Sequence, residues 1–247
     1  MLYIISPFKT LTNTVLASFI FNPQFPTAEI HSEIIPEQKD GKYIYRSHTN
    51  YGLIEKIYNA NEDSTIITIV RDPISQFISG FFQDIDCPPI NFGTQQEILD
   101  TPLNDIIDIF NKVDFLSTET YNIDILFDFY NKIMNFNVYD YKDNYKYSTE
   151  GYNYYDVKNK YDKTVRIIII RSDKISQCIH KIGKMFNIDN MVLYNANTAD
   201  EKWYKNLYKE FKQTIYSQKR IKNFNEFMNL KYVNYFYNEE ERSKMAN

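Results

Sequence analysis

Apolar positions in the first third of the chain alternate between short β-like runs and helical spacing. Residues 2–6 open with Leu2-Tyr3-Ile4-Ile5, a polar turn follows, and residues 12–21 carry a helical period. Residues 42–46 form a second β-rich run, and residues 51–60 predict a helix after it. Residues 65–70, reading TIITIV, are a continuous β-branched run of the kind that fills a strand buried on both faces. Asp72-Pro73 then opens a helix, with Asp as N-cap and Pro at the first helical position. Strand, turn and helix repeated in this order imply a parallel sheet with right-handed crossovers.

The middle predicts helices over residues 95–112 and 118–136. Residues 137–163 are dense in Tyr, Asp, Asn and Lys, lack a helical period, and read as a loop or hairpin excursion. Residues 165–170 (VRIIII) give the clearest buried strand, followed by helices at 172–186 and 200–217. The tail reads as helix and loop ending in a charged run. Neither an internal repeat nor a linker interrupts the chain, so residues 1–247 are expected to form one α/β domain.

Composition agrees with a globular chain, at 43% apolar and 24% charged. Aromatic content is high (22 Tyr, 18 Phe), and with only six glycines a glycine-dependent loop would stand out. A net charge of −4 argues against sequence-independent binding to duplex nucleic acid, which needs a basic face. Cys87 and Cys178 lie far apart without metal spacing, which points to a reducing compartment and to no metal. No apolar run approaches the roughly 20 residues that span a bilayer. The N-terminus lacks a basic n-region, so a cytoplasmic location is expected.

Two segments carry candidate chemistry. The turn Ser6-Pro7-Phe8-Lys9-Thr10-Leu11-Thr12-Asn13-Thr14 links the opening strand to a helix. Such a turn presents free backbone N–H groups, and Lys9 and the hydroxyls would add a point charge and donors for an anion. An ordinary capped helix start explains the same residues. The second segment is Arg71-Asp72-Pro73-Ile74-Ser75-Gln76-Phe77-Ile78-Ser79-Gly80-Phe81-Phe82. Arg71 is expected at the carboxyl end of its strand, on the sheet edge where Lys9 lies and where open α/β sheets bind ligands. Ser75 and Ser79, four apart, share one helix face, and a guanidinium with aligned hydroxyls suits a dianionic phosphate. The alternative is an Arg–Asp surface pair beside a Pro-started helix. The loop GxxxxGK[ST] is absent, which argues against a small-molecule kinase.

RDPISQFISGFF resembles the 3′-phosphate-binding motif of sulfotransferases, with Arg71, Asp72, Pro73, Ser79 and Phe81 in the matching places. SPFKTLTNT resembles the family's 5′-phosphosulfate loop, with Lys9, Thr10 and Thr12 in corresponding positions. The likeness covers residues 2–82 and resumes at VRIIIIRSDKISQCIHKIGKMFNID. Leu11 stands where the family usually has glycine, and Gln76 where it often has arginine. The resemblance implies a P-loop-like parallel sheet flanked by helices, with a helical and Tyr-rich insertion over about 92–163 on the acceptor side. It also implies 3′-phosphoadenosine 5′-phosphosulfate (PAPS) as sulfuryl donor and a hydroxyl acceptor. Lys9, Thr10, Leu11, Thr12, Asn13, Thr14, Arg71 and Ser79 would hold the nucleotide.

Sulfuryl transfer requires in-line attack and stabilisation of charge on the leaving oxygen, for which Lys9 is the candidate. The base would be His48, after the second β-run, with Glu29 and Glu33 as rivals. His180 is expected to be a partly buried helical residue. Trp203, Leu207, Phe211 and Ile215 form an i, i+4 stripe that reads as core, with Lys202, Lys205, Lys209 and Lys212 on a polar side facing solvent or an anionic acceptor. Tyrosines stack on sugar rings, so the Tyr-rich segment favours a carbohydrate acceptor. A non-catalytic descendant that binds a nucleotide or glycan is the alternative that Leu11 and Gln76 favour.

Overall fold

The computed structural model describes residues 1–7, 12–20, 30–31, 51–86, 90–113, 122–194, 202–218, 221–222 and 224–246. The first part of the chain contributes β1 (Leu2–Ile4), α1 (Thr12–Ile20), β2 (Ile30–His31), α2 (Tyr51–Tyr58), β3 (Ser64–Val70) and α3 (Pro73–Asp84). Then come α4 (Gln95–Asp100), α5 (Leu103–Phe110), α6 (Ile123–Met134), α7 (Tyr145–Thr149), β4 (Tyr152–Lys158) and β5 (Thr164–Arg171). A 3-10 turn at Ser172–Lys174 leads into α8 (Ile175–Met185), followed by α9 (Lys205–Gln218), α10 (Phe224–Met228), α11 (Lys231–Phe236) and α12 (Glu239–Ala246). The β-rich run at 42–46 lies outside the described residues.

Among the described residues the sheet order is β2-β1-β3-β5-β4. β2, β1, β3 and β5 are parallel, as the alternation of strand and helix implies, whereas β4 is antiparallel to β5. The expectation of an all-parallel sheet is corrected at that edge. β3 and β5 are buried on both faces, which is why their aliphatic runs are uninterrupted. Ile66, Val165, Ile167 and Ile169 face α2, α6 and α11, while Ile67, Ile69, Ile168 and Ile170 face α1 and α8. A further core lies among α3, α5, α9 and α10, where the rings of Phe81, Phe82, Phe110 and Phe211 pack edge to face and stacked.

The Tyr-rich stretch, expected as a loop or hairpin excursion, supplies an edge strand that forms a hairpin with β5. In β4, Asn153 and Tyr155 point inward and are buried while Tyr154 and Asp156 are exposed. The inward polar groups are satisfied: Asn153 Nδ2 donates to Asp143 Oδ2 at 2.6 Å, and Tyr155 Oη to Asp143 Oδ1 at 3.2 Å. The hairpin turn to β5 is organised by Asn159, whose Oδ1 accepts from the Tyr161 and Lys163 N–H groups. Phe136, Tyr147 and Tyr155 share one core with β3 and β5.

The helix expected at 95–112 is two helices. Pro102 holds Thr101 in extended backbone (φ −78°, ψ 133°) and ends α4 there. α4 begins with a reciprocal Thr94–Glu97 capping box. α6 stops at Asn135, in left-handed backbone at φ 51°. No described helix is long and apolar enough to cross a membrane.

Candidate active site at the carboxyl edge of the sheet

The ends of β1 and β3 are tied together. The Ile5 N–H donates to the Ile67 carbonyl at 2.9 Å, and the Ile69 N–H donates to Ser6 Oγ at 2.6 Å. Thr68 Oγ1 donates to the Ile5 carbonyl at 3.0 Å and lies 2.7 Å from the Tyr130 hydroxyl. The chain therefore leaves β1 beside the carboxyl end of β3, two residues before Arg71, and α1 begins at Thr12. Thr12, Asn13 and Thr14 form the first turn of α1; Asn13 is half-buried and Thr14 buried. Lys9, Thr10, Leu11, His48, Glu29 and Glu33 lie outside the described residues. His180 is exposed on α8, which corrects its expected partial burial.

Asp72 caps α3 as its sequence context predicts. Its Oδ1 accepts from the Ser75 N–H at 2.9 Å, and Pro73 follows at the first helical position. Arg71 and Ser79 are half-buried. The pairing of Ser75 with Ser79 as phosphate donors does not hold: Ser75 is buried and its Oγ lies 2.8 Å from the Tyr216 hydroxyl. Gln76, which stands in place of the resembled motif's frequent arginine, is also buried within α3.

α9 closes this edge. Its Phe211 and Ile215 are core, as the sequence stripe implies, and Trp203 precedes the helix, half-buried. A second stripe at Tyr208, Lys212 and Tyr216 faces residues 71–75. Tyr208 lies near enough to Arg71 for the guanidinium to offset part of the rise that burial gives its hydroxyl's pKa, and Tyr216 Oη donates to Asp72 Oδ1 at 3.2 Å. Lys212 stands between the tyrosines; burial lowers its pKa, and the nearby Arg71 adds to that against the attraction of Asp72. It is thus separated from the polar lysines with which sequence grouped it, of which Lys202 and Lys209 are exposed.

A cleft of about 540 Å³ opens beside these groups, between Asp72, the turn after β5, α9 and α12. Its wall includes Arg171, which lies across from Val70 in the β3–β5 register and is 1% exposed. The guanidinium donates to both Asp173 oxygens (3.1 and 2.6 Å), to Glu241 Oε2 (2.7 Å) and to the Phe236 carbonyl (3.1 Å), and lies 4.2 Å from the Tyr237 ring centroid. Burial opposes its charge, but the Asp173 and Glu241 carboxylates outweigh that and hold it protonated. Arg171 anchors the C-terminal helices to the sheet. Sequence reading assigned it no role, although an arginine ending a buried strand repeats the placement of Arg71. Tyr216 and Tyr237 carried no local signal; tertiary packing brings them in. Among the described residues no group of three His, Cys, Asp or Glu is placed to hold a metal ion.

The fold and site thus define an open, mostly parallel α/β sheet with arginines at the carboxyl ends of two neighbouring strands. Compared with family models, with curated proteins and with solved structures, the chain matches none.

Proposed function

We propose that the chain moves a sulfuryl group from PAPS to a hydroxyl acceptor, a saccharide. The observation that carries this is the juncture of β1 and β3, where Ser6 and Ile69 are bonded at 2.6 Å. It supports a shared ligand edge for the two segments that resemble the phosphosulfate loop and the 3′-phosphate motif. The chemistry of the described donors fits the nucleotide: Arg71 supplies a fork for a phosphate and Ser79 a hydroxyl one helical stretch further on.

When bound, PAPS supplies the activated sulfuryl group. Arg71 and Ser79 would hold the 3′-phosphate, and Thr10 and Thr12 would orient the 5′ end. Lys9 would stabilise negative charge on the departing 5′-phosphate oxygen. His48 would take the proton of the acceptor hydroxyl, with Glu29 or Glu33 as the alternative base. Transfer of labelled sulfate to a glycan panel tests this chemistry. We expect incorporation that falls about a hundredfold or more in Lys9→Ala. Transfer at the wild-type rate in that variant would refute the role of Lys9, and full activity in His48→Ala would move the base to a glutamate.

A second reading is favoured by one observation. Position 76 of α3 is a neutral glutamine, buried in the helix, where the resembled motif often has a cation, as expected of a non-catalytic descendant that binds the nucleotide. Nucleotide binding without transfer to any acceptor would select this reading.

A further inference from the structure

We propose that β4 is an association edge for a second copy of this chain, the β4 strands of two copies pairing antiparallel about a two-fold axis through Tyr155. The sheet then runs unbroken from one copy into the other.

β4 ends the sheet: β5 flanks one side of it, and no described strand flanks the other. The register shows which backbone groups face outward. The Arg171 N–H donates to the Gly151 carbonyl at 2.9 Å, and the Asn159 N–H to the Lys163 carbonyl at 3.0 Å. These are hydrogen-bonded pairs at either end of the ladder, and such pairs alternate along an antiparallel strand. Asn153, Tyr155 and Val157 thus bond to β5, while the N–H and C=O groups of Tyr152, Tyr154, Asp156 and Lys158 point away from it. Among the described residues only the Tyr154 N–H of that outward set finds a partner, Asn153 Oδ1 at 2.9 Å. A seven-residue strand with neither proline nor bulge leaves a long template of unmet donors and acceptors.

The side chains of these four residues decide the occupant. Tyr152 and Tyr154 form the first half of the row, Asp156 and Lys158 the second. Tyr154 is 45% exposed, and the side chains of Asp156 and Lys158 are 42% and 61% exposed. Arg166 of β5 braces the row from behind, donating to both Asp156 oxygens at 2.7 Å and lying 5.0 Å from the Tyr154 ring centroid. A row that is aromatic at one end and charged at the other complements itself when reversed. With Tyr155 on the axis, Tyr152 faces Lys158 of the other copy and Tyr154 faces its Asp156. A cation then meets a ring, and no like charges stand directly opposite. This register alone pairs the full length of both strands, whereas a slip that centres the pairing on Asp156 would set that carboxylate against its own copy. The flanks agree in sign. Glu150, also paired with Lys181, precedes β4 and Lys160 follows it, so reversal sets an acidic strand end beside a basic one. A lysine in mid-strand guards an edge against pairing, but Lys158 is the last residue of β4 and leaves the rest open.

Sedimentation equilibrium on the full chain, from low micromolar to submillimolar concentration, tests this together with residue-resolved amide exchange. The wild-type chain should form a dimer, and the Asp156 and Lys158 amides should exchange more slowly as concentration rises. Tyr154→Asp should keep the fold, because the ring it replaces is exposed and Arg166 lies beside it. It lines the seam with like charges, however, and should weaken the dimer about tenfold or more. Asp156→Pro removes an outward N–H that β5 does not use and should leave the chain monomeric. A wild-type chain that stays monomeric throughout would overturn the proposal and leave the edge to a strand of another protein. A dimer that Tyr154→Asp does not weaken, or whose Asp156 and Lys158 amides exchange as in the monomer, would put the contact on another face and overturn it as well.

Discussion

The Tyr216 hydroxyl lies 2.8 Å from Ser75 Oγ and donates to Asp72 Oδ1 at 3.2 Å, joining α9 to the N-terminus of α3 across 141 residues of sequence. Asp72 is held as a cap by the helix it starts and by a helix far along the chain, so the backbone that carries Arg71 is fixed from two sides. Removing the hydroxyl leaves both partners short of a bond in a half-buried place. Tyr216→Phe should therefore lower stability by about 1 to 3 kcal/mol. Urea unfolding should show a lower midpoint with an unchanged slope.

Arg171 offers a sharper contrast. It is 1% exposed, whereas the side chain of Asp173 is 47% exposed and that of Glu241 18%. Truncating the arginine strands a partly buried carboxylate, so Arg171→Ala should cost about 3 to 5 kcal/mol. Asp173→Asn leaves the Glu241 and carbonyl bonds in place and should cost under about 1 kcal/mol. Equal losses in thermal unfolding would contradict this division.

Glu241 gives a pH signature. Burial works to raise its pKa, but hydrogen bonds from Arg171, the Asn238 N–H and Ser148 together outweigh burial and hold it below the ordinary value. A depressed folded-state pKa contributes stability above the unfolded value of about 4.3, lost as pH falls through the lower folded value. The wild-type chain should lose stability faster than Glu241→Gln below about pH 4.3, the two curves converging in acid. Parallel curves across that window would exclude the linkage.

The ring cluster under α9 sets a further test. Phe211 is fully buried against Phe81, Phe82 and Phe110. Phe211→Ala should cost about 3 to 5 kcal/mol by leaving a cavity that the surrounding rings only partly fill. A loss under about 1 kcal/mol would mean that α9 is not held by this core.

How far the sequence announced this arrangement differs from element to element. β3 and β5 were legible because strands buried on both faces need uninterrupted β-branched residues, and α3 because Asp72 and Pro73 carry its start. β4 was not, since its inward positions are Asn153 and Tyr155, whose polarity is satisfied only once Asp143 folds against them. The break at Pro102 was visible as a residue but masked by apolar spacing that continues through it. At the site, the strand-end placement of Arg71 followed from topology. The separation of Lys212 from its neighbouring lysines did not, because it depends on which stripe of α9 meets α3. The same packing reassigned Ser75 from ligand donor to partner of Tyr216.

Titration calorimetry with adenosine 3′,5′-bisphosphate, set against adenosine 5′-monophosphate and ATP, tests the central claim that Arg71 at the end of β3 holds a nucleotide 3′-phosphate. The wild-type chain should prefer the 3′,5′-bisphosphate by about tenfold or more, and Arg71→Ala should abolish that preference. Equal affinity for the three nucleotides, or an Arg71→Ala variant that binds as the wild type does, would contradict it.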